Sequence, residues 1–165
     1  MDAIEPPDIH HLNAARGWLE LGNAEESWLE LEEILPRWNE HPDVLNLLWD
    51  LYAAEKAWPK ALATARQMVT RYPDSVAGWI HQSYALHEMK QTMEARDALS
   101  KAVGRFPKEG TIPYNLACYE CQLGEINTAK RWLALVEKVL GKEVLKEMAT
   151  DDDDLQPLWD YVKSL

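Results

Sequence analysis

Cys118 and Cys121 form the one cysteine pair in this 165-residue chain, in a C-Y-E-C spacing that could serve redox or metal chemistry. Such a pair exchanges electrons when it opens a helix beside a strand, where the helix dipole lowers a thiol pKa, and it holds zinc when two further ligands join it. Here the flanking residues read as the interior of a helix with no strand pattern nearby, and the residues that could complete a zinc site are His87 and, less easily, His81. His10, His11 and His41 fall in loops or at a helix start, and adjacent His10 and His11 cannot share one helical face. The carboxylate pairs Glu25/Glu26 and Glu32/Glu33 lie in so acidic a stretch that solvation explains them without general acid-base catalysis. The chain carries no glycine-rich phosphate loop, serine elbow or HExxH motif. The expectation is a protein that is not an enzyme, with no metal and no cofactor, whose cysteines pack as small apolar residues. A metal or redox protein centred on Cys118, Cys121 and His87 is the alternative.

The elements that must position these residues repeat. A small residue recurs every 34 positions, at Ser27, Ala61, Ala95 and Ala129, where one helix has to cross another closely. Five residues before each stand Gly22, Lys56, Lys90 and Gly124, at the turn between two helices, where a left-handed backbone suits glycine. Pro73 and Pro107 follow two of the small residues by twelve positions and stop the second helix, because proline has no amide hydrogen to continue it. This spacing predicts helices over about 8–21, 24–38, 42–55, 58–72, 76–89, 92–105, 112–123 and 126–140, paired as antiparallel hairpins. In the third, Leu45, Leu48, Trp49 and Tyr52 keep the i, i+3, i+4, i+7 pattern of a buried face, which leaves Asn46 and Asp50 on the polar side.

The stretches LGNAEES, WPKALATARQMVTRYPD, MEARDALSKAVGRFPK and LGEINTAKRWLALVEKVLG are four copies in one register. Over roughly residues 8 to 141 the chain resembles a tetratricopeptide-repeat (TPR) protein. The resemblance implies an all-α, right-handed α-α superhelix of about four helical hairpins, at about 8–41, 42–75, 76–109 and 110–141, with C-terminal capping helices in 142–165, all in a single domain, 1–165. Some positions depart from the pattern. Trp49 stands where a small residue is usual, Gln82 and Glu120 where apolar ones are common, and Pro36 to Pro42 make an irregular connection.

What the resemblance implies for function is a non-catalytic interaction module or adaptor, whose concave groove binds another protein or a peptide segment. Transferred by register, the inner-face positions are Leu12, Asn13, Arg16, Asn46, Asp50, Ile80, His81, Tyr84, Glu88, Tyr114, Asn115 and Cys118. Asparagine suits such a face because its amide both donates and accepts, and tyrosine because it is a stiff apolar contact with a polar tip. The cationic clamp of the relatives that hold chaperone C-termini is absent, since the matching positions are Leu12, Arg16, Leu47, Ala77 and His81. Small acidic bacterial secretion chaperones use similar repeats at similar length and are the second reading of the same class.

Composition narrows the partners. The net charge is −11, of which residues 1–50 carry −10, residues 51–110 carry +3 and the remainder −4. A nucleic-acid binder needs a concentrated basic face, so no nucleic acid is expected, and the mild basic excess of the middle third reads as solvated surface or as a docking face for an acidic partner. No apolar stretch approaches the ~20 residues of a membrane span, and MDAIEPPD lacks a signal-peptide pattern, so the expected location is cytoplasmic, without membrane contact. Most of the eight tryptophans fall on predicted apolar faces. Trp38 and Trp58 are the two expected to face solvent, where they could support self-association. Past Gly141 the period stops. Asp151 to Asp154 offer N-cap oxygens to a last helix with the apolar stripe Leu155, Leu158, Trp159 and Val162. That segment reads as a lid over the last repeat, or more sharply as a tail that folds into the groove like a peptide ligand.

Overall fold

The computed structural model describes residues 3–165, and every regular element in them is helical. The α-helices are α1 (Asp8–Glu20), α2 (Ala24–Glu32), α3 (Pro42–Ala54), α4 (Trp58–Arg71), α5 (Val76–Glu88), α6 (Thr92–Ser100), α7 (Thr111–Gln122), α8 (Ile126–Leu140), α9 (Lys142–Ala149) and α10 (Trp159–Ser164). Short 3₁₀ helices cover Pro36–Trp38 and Asp153–Leu158. The chain divides into two compact units, Met1–His81 and Gln82–Leu165.

The turns follow the 34-residue register. Gly22, Lys56, Lys90 and Gly124 all take positive φ, at 78°, 55°, 63° and 82°. The small residues Ser27, Ala61, Ala95 and Ala129 are each 0 % exposed. At the first crossing the Ser27 hydroxyl donates to the Ala15 carbonyl at 2.7 Å, so the small polar residue is satisfied at the point of closest approach.

In the first unit, α1 pairs with α2 and α3 with α4, around Leu12, Ala15, Ile34, Val44, Leu47 and Leu51. Helix α5 begins against α4 without a side chain between them, since a Cβ on Gly78 would stand 2.9 Å from the Met68 Cβ and from the Val69 amide nitrogen. The expected second helix is cut short. Leu35, held extended (φ −58°, ψ 140°) ahead of Pro36, cannot continue α2, and the chain crosses to α3 through the 3₁₀ turn. Asp8, 1 % exposed, fixes this crossing by accepting from the Leu35 amide and the Trp38 indole, both at 2.9 Å. Trp38 therefore packs against the core instead of facing solvent; Trp58 is also half-buried, and it is Trp18, at the end of α1, that is exposed.

In the second unit, α7 pairs with α8 and packs on α6. Helix α6 stops earlier than expected, and successive i→i−3 bonds such as Ala102 to Leu99 carry the chain on through turns. Past Gly141, α9, the second 3₁₀ helix and α10 bury Leu145, Leu155, Leu158 and Val162 against the last hairpin.

Candidate functional site

The inner-face positions of the first unit divide between committed and open side chains. Leu12 is fully buried, so it belongs to the core and not to a contact face. Asn46 is engaged inside the fold, its Nδ2 donating to the Pro42 carbonyl at 2.8 Å while its Oδ1 lies 3.2 Å from His81 Nε2. That contact makes Nε2 the protonated ring nitrogen of His81. The His81 ring lies on Trp49 with centroids 3.8 Å apart and planes 12° from parallel, which is how the large Trp49 is accommodated where a small residue is usual. Burial pulls the His81 pKa down to about 4, so the ring is neutral at pH 7.

Open positions remain between α1 and α3. Asn13 and Asp50 are exposed, and the Arg16 guanidinium reaches Asp43, 3.4 Å from its carbonyl and 3.6 Å from its carboxylate. A cleft of about 200 Å³ runs between Arg16, Leu19, Glu20, Leu47 and Asp50. Desolvation raises the Asp50 pKa, and nearby Arg16 partly offsets it. The remaining position, Ile80 on α5, is half-buried.

In the second unit the C-terminal segment lies on the inner positions Tyr114 and Cys118 of α7 and meets His87 of α5. The Tyr114 hydroxyl has one proton to give, with Asp152 Oδ2 at 2.6 Å and the Met148 carbonyl at 2.8 Å. The Cys118 thiol donates to the same Asp152 oxygen at 3.7 Å. His87 Nε2 meets Asp154 Oδ2 at 3.0 Å while its Nδ1 meets Thr92 Oγ1 at 3.1 Å, so both ring nitrogens have partners. Gln122 Nε2 donates to the Asp154 carbonyl at 3.1 Å. Asp152 also caps its own 3₁₀ helix, accepting from the Asp154 amide at 3.0 Å, and its carbonyl accepts from the Trp159 indole. Tyr114 and Cys118 are thus covered, at 7 % and 5 % exposed, whereas Tyr84 is 40 % exposed, hydrogen-bonded to half-buried Glu88, and Asn115 is half-buried.

The same burial decides the thiol chemistry. Desolvation, joined by the charges of Asp152 and Asp154, pushes the Cys118 thiol well above its ordinary range, and Cys121 shifts the same way. A thiol held protonated is a poor nucleophile, and among the described residues no three His, Cys, Asp or Glu side chains are grouped together. Asp154 is shifted down, first by its hydrogen bond with His87. The sequence reading missed two aspartates. Asp8 gives no local signal beyond a carboxylate at a helix start, and Asp152 was legible as a cap but not as the partner of Tyr114.

No protein-family profile and no curated protein sequence matches the chain. Solved structures do. A thermophilic TPR protein of Thermus thermophilus superposes with TM-score 0.72 at 16 % identity, over 96 % of this chain and 100 % of that one. MamA, residues 41 to the end, from Desulfovibrio magneticus RS-1 gives TM-score 0.72 at 16 % identity over 98 % and 92 % of the two chains. MamA AMB-1 gives 0.63 at 19 % identity over 78 % and 76 %. The tandem hairpins, their turns and these likenesses together give the chain the all-α tetratricopeptide-repeat fold.

Proposed function

We propose that this chain is a non-catalytic adaptor: a single repeat domain, with units at about 8–41, 42–75, 76–109 and 110–141 and a cap at 142–165, that binds a segment of another protein on the inner faces of its first helices. One observation carries the reading. In the second unit, side chains at inner register positions already hold a stretch of polypeptide, through hydrogen bonds from Tyr114, Cys118 and Gln122. Stacked helical repeats present such faces to ligands generally; in the first unit the register position of Cys118 is held by Arg16 and Asp50, which line an open cleft, and that of Asn115 by exposed Asn13. Free, protonated thiols fit a reducing compartment, so we place the protein in the cytoplasm. No described helix is long and apolar enough to cross a membrane.

The test is capture from cell extract by the tagged chain, compared with a variant carrying Asn13→Ala, Arg16→Ala and Asp50→Ala. These residues lie outside the packed core, so stability should move by about 0.5 kcal/mol or less while a specifically captured protein is lost. A protein retained by this variant but lost on replacing Arg66, Arg71 and Lys101 would place the binding surface on the outer, basic side instead.

A further inference from the structure

The stretch Asp152–Leu155 is held chiefly by what its side chains and carbonyls offer to α5 and α7. Two carboxylates two residues apart meet two separate donor sets. Asp152 meets the Tyr114 hydroxyl and the Cys118 thiol, and Asp154 meets His87. Gln122 binds the backbone carbonyl between Asp154 and Leu155, and Leu155 then enters the core at 0 % exposed. Asp152, with φ −80° and ψ 110°, is the extended N-cap of the 3₁₀ helix Asp153–Leu158, so the two carboxylates are presented from a capped turn. Side-chain contacts to two carboxylates, a contact to the main chain and an apolar anchor are the parts from which a short peptide segment is recognised.

A cap needs none of the polar half of this arrangement. Leu155, Leu158 and Val162 already close the apolar end of the last hairpin. Asp154 instead meets a receptor group that has partners of its own. His87 is 8 % exposed and braced from behind by the Thr92 hydroxyl, and its ring lies 4.9 Å from that of Tyr119, which donates to Ser83. His87 is therefore set in place by α5, α6 and α7 independently of the strap that it holds, whereas the second partner of Tyr114, the Met148 carbonyl, belongs to α9.

We propose that the inner face of α5 and α7 is a receptor for an acidic segment of the pattern Asp-x-Asp-Leu, occupied in this chain by its own residues 152–155, and that an acidic partner segment binds by displacing them. The proposal rests on the adaptor reading and gives the partner its chemistry at this face. A tethered occupant competes at an effective concentration of about millimolar, so a free segment binds weakly until the tether is loosened. Its apparent Kd is the intrinsic Kd divided by the fraction of chains with the strap undocked.

The probe is a fluorescein-labelled peptide of residues 149–165, titrated by anisotropy into full-length protein. The wild-type chain should bind it weakly. The full-length chain with Asp152→Asn and Asp154→Asn, whose strap is loosened while the receptor is intact, should bind at least tenfold more tightly. Adding His87→Ala and Tyr114→Phe should return binding to the wild-type level, and a peptide with both aspartates replaced by asparagine should not bind. Equal binding by the wild-type and loosened chains, or binding indifferent to His87, Tyr114 and the peptide carboxylates, overturns the proposal and leaves a structural cap. Hydrogen exchange on the unmodified protein gives a second reading that does not depend on the variants folding. The amides of 153–156 and 158 should exchange at least tenfold faster than those of α7, and identical rates would mean that the strap opens only with the whole unit. A failure here leaves capture through Asn13, Arg16 and Asp50 untouched, so the two readings fail separately.

Discussion

His81 concentrates the residue-scale physics of this protein. Its ring is stacked on Trp49, bound to Asn46 and held neutral, with a folded pKa of about 4 against an ordinary 6.5. Between those values the unfolded chain takes up a proton that the folded chain refuses, so stability is full above about pH 6.5 and falls as the pH drops toward 4. The loss from this one group is about 2 to 3 kcal/mol. Asp50, raised in the fold, opposes the trend slightly near its own titration, and Asp154, lowered, adds to the loss at the acid end. His81→Gln keeps an N–H for Asn46 and removes the titration. Urea midpoints at pH 7, 5.5 and 4 should therefore fall less steeply for the variant, and parallel curves would refute the assignment. The thiols are quiet for the same reason of burial. Cys118→Ser with Cys121→Ser should shift stability by no more than about 1 kcal/mol, and a thiol reagent at pH 8 should label native protein far more slowly than unfolded protein.

Among the elements, the turns between paired helices show where the sequence is under strain. Gly22 and Gly124 meet the left-handed backbone without strain, but Lys56 and Lys90 occupy it at φ 55° and 63°. Lys90→Gly should raise stability by about 0.5 to 1 kcal/mol, the relief of strain being partly offset by a more flexible unfolded chain. A loss on chemical denaturation would contradict the left-handed assignment. The helix crossing that follows has no such tolerance. Ala95 is fully enclosed, and Ala95→Leu should cost about 1 to 3 kcal/mol by overpacking, whereas Gln91→Leu in the exposed turn should be nearly silent. Asp8 is the matching polar case. Asp8→Ala strands the Leu35 amide and the Trp38 indole and should cost about 2 to 3 kcal/mol, read from the denaturant midpoint.

On the scale of the whole molecule, charge is separated along the chain, −10 in residues 1–50 against +3 in residues 51–110. Exposed charges act over about a Debye length, roughly 8 to 10 Å at physiological salt, and so shape encounter more than final affinity. Replacing exposed Arg66, Arg71 and Lys101 by alanine should lower the association rate of a captured acidic partner and flatten its salt dependence, with little change in dissociation. A change confined to dissociation would mean that these residues lie inside the interface.

The repeat itself was legible in the sequence because its information is local. A small residue every 34 positions, with a turn five residues earlier, fixes where helices pair, and the structure follows it at all four turns. Apolar periodicity likewise identified the stripe Leu155, Leu158, Trp159 and Val162, all buried except the half-buried Trp159. What the inner positions do was decided by tertiary structure alone. Asn46 and His81 are 35 residues apart, and His87 and Asp154 are 67 apart. No spacing rule reaches across such distances, since one inner register position is open at Asp50 but covered by the chain's own C-terminal segment at Cys118, and another is engaged by a neighbour at Asn46 but covered by that segment at Tyr114. Register determines which way a residue points, but only packing determines what it meets there.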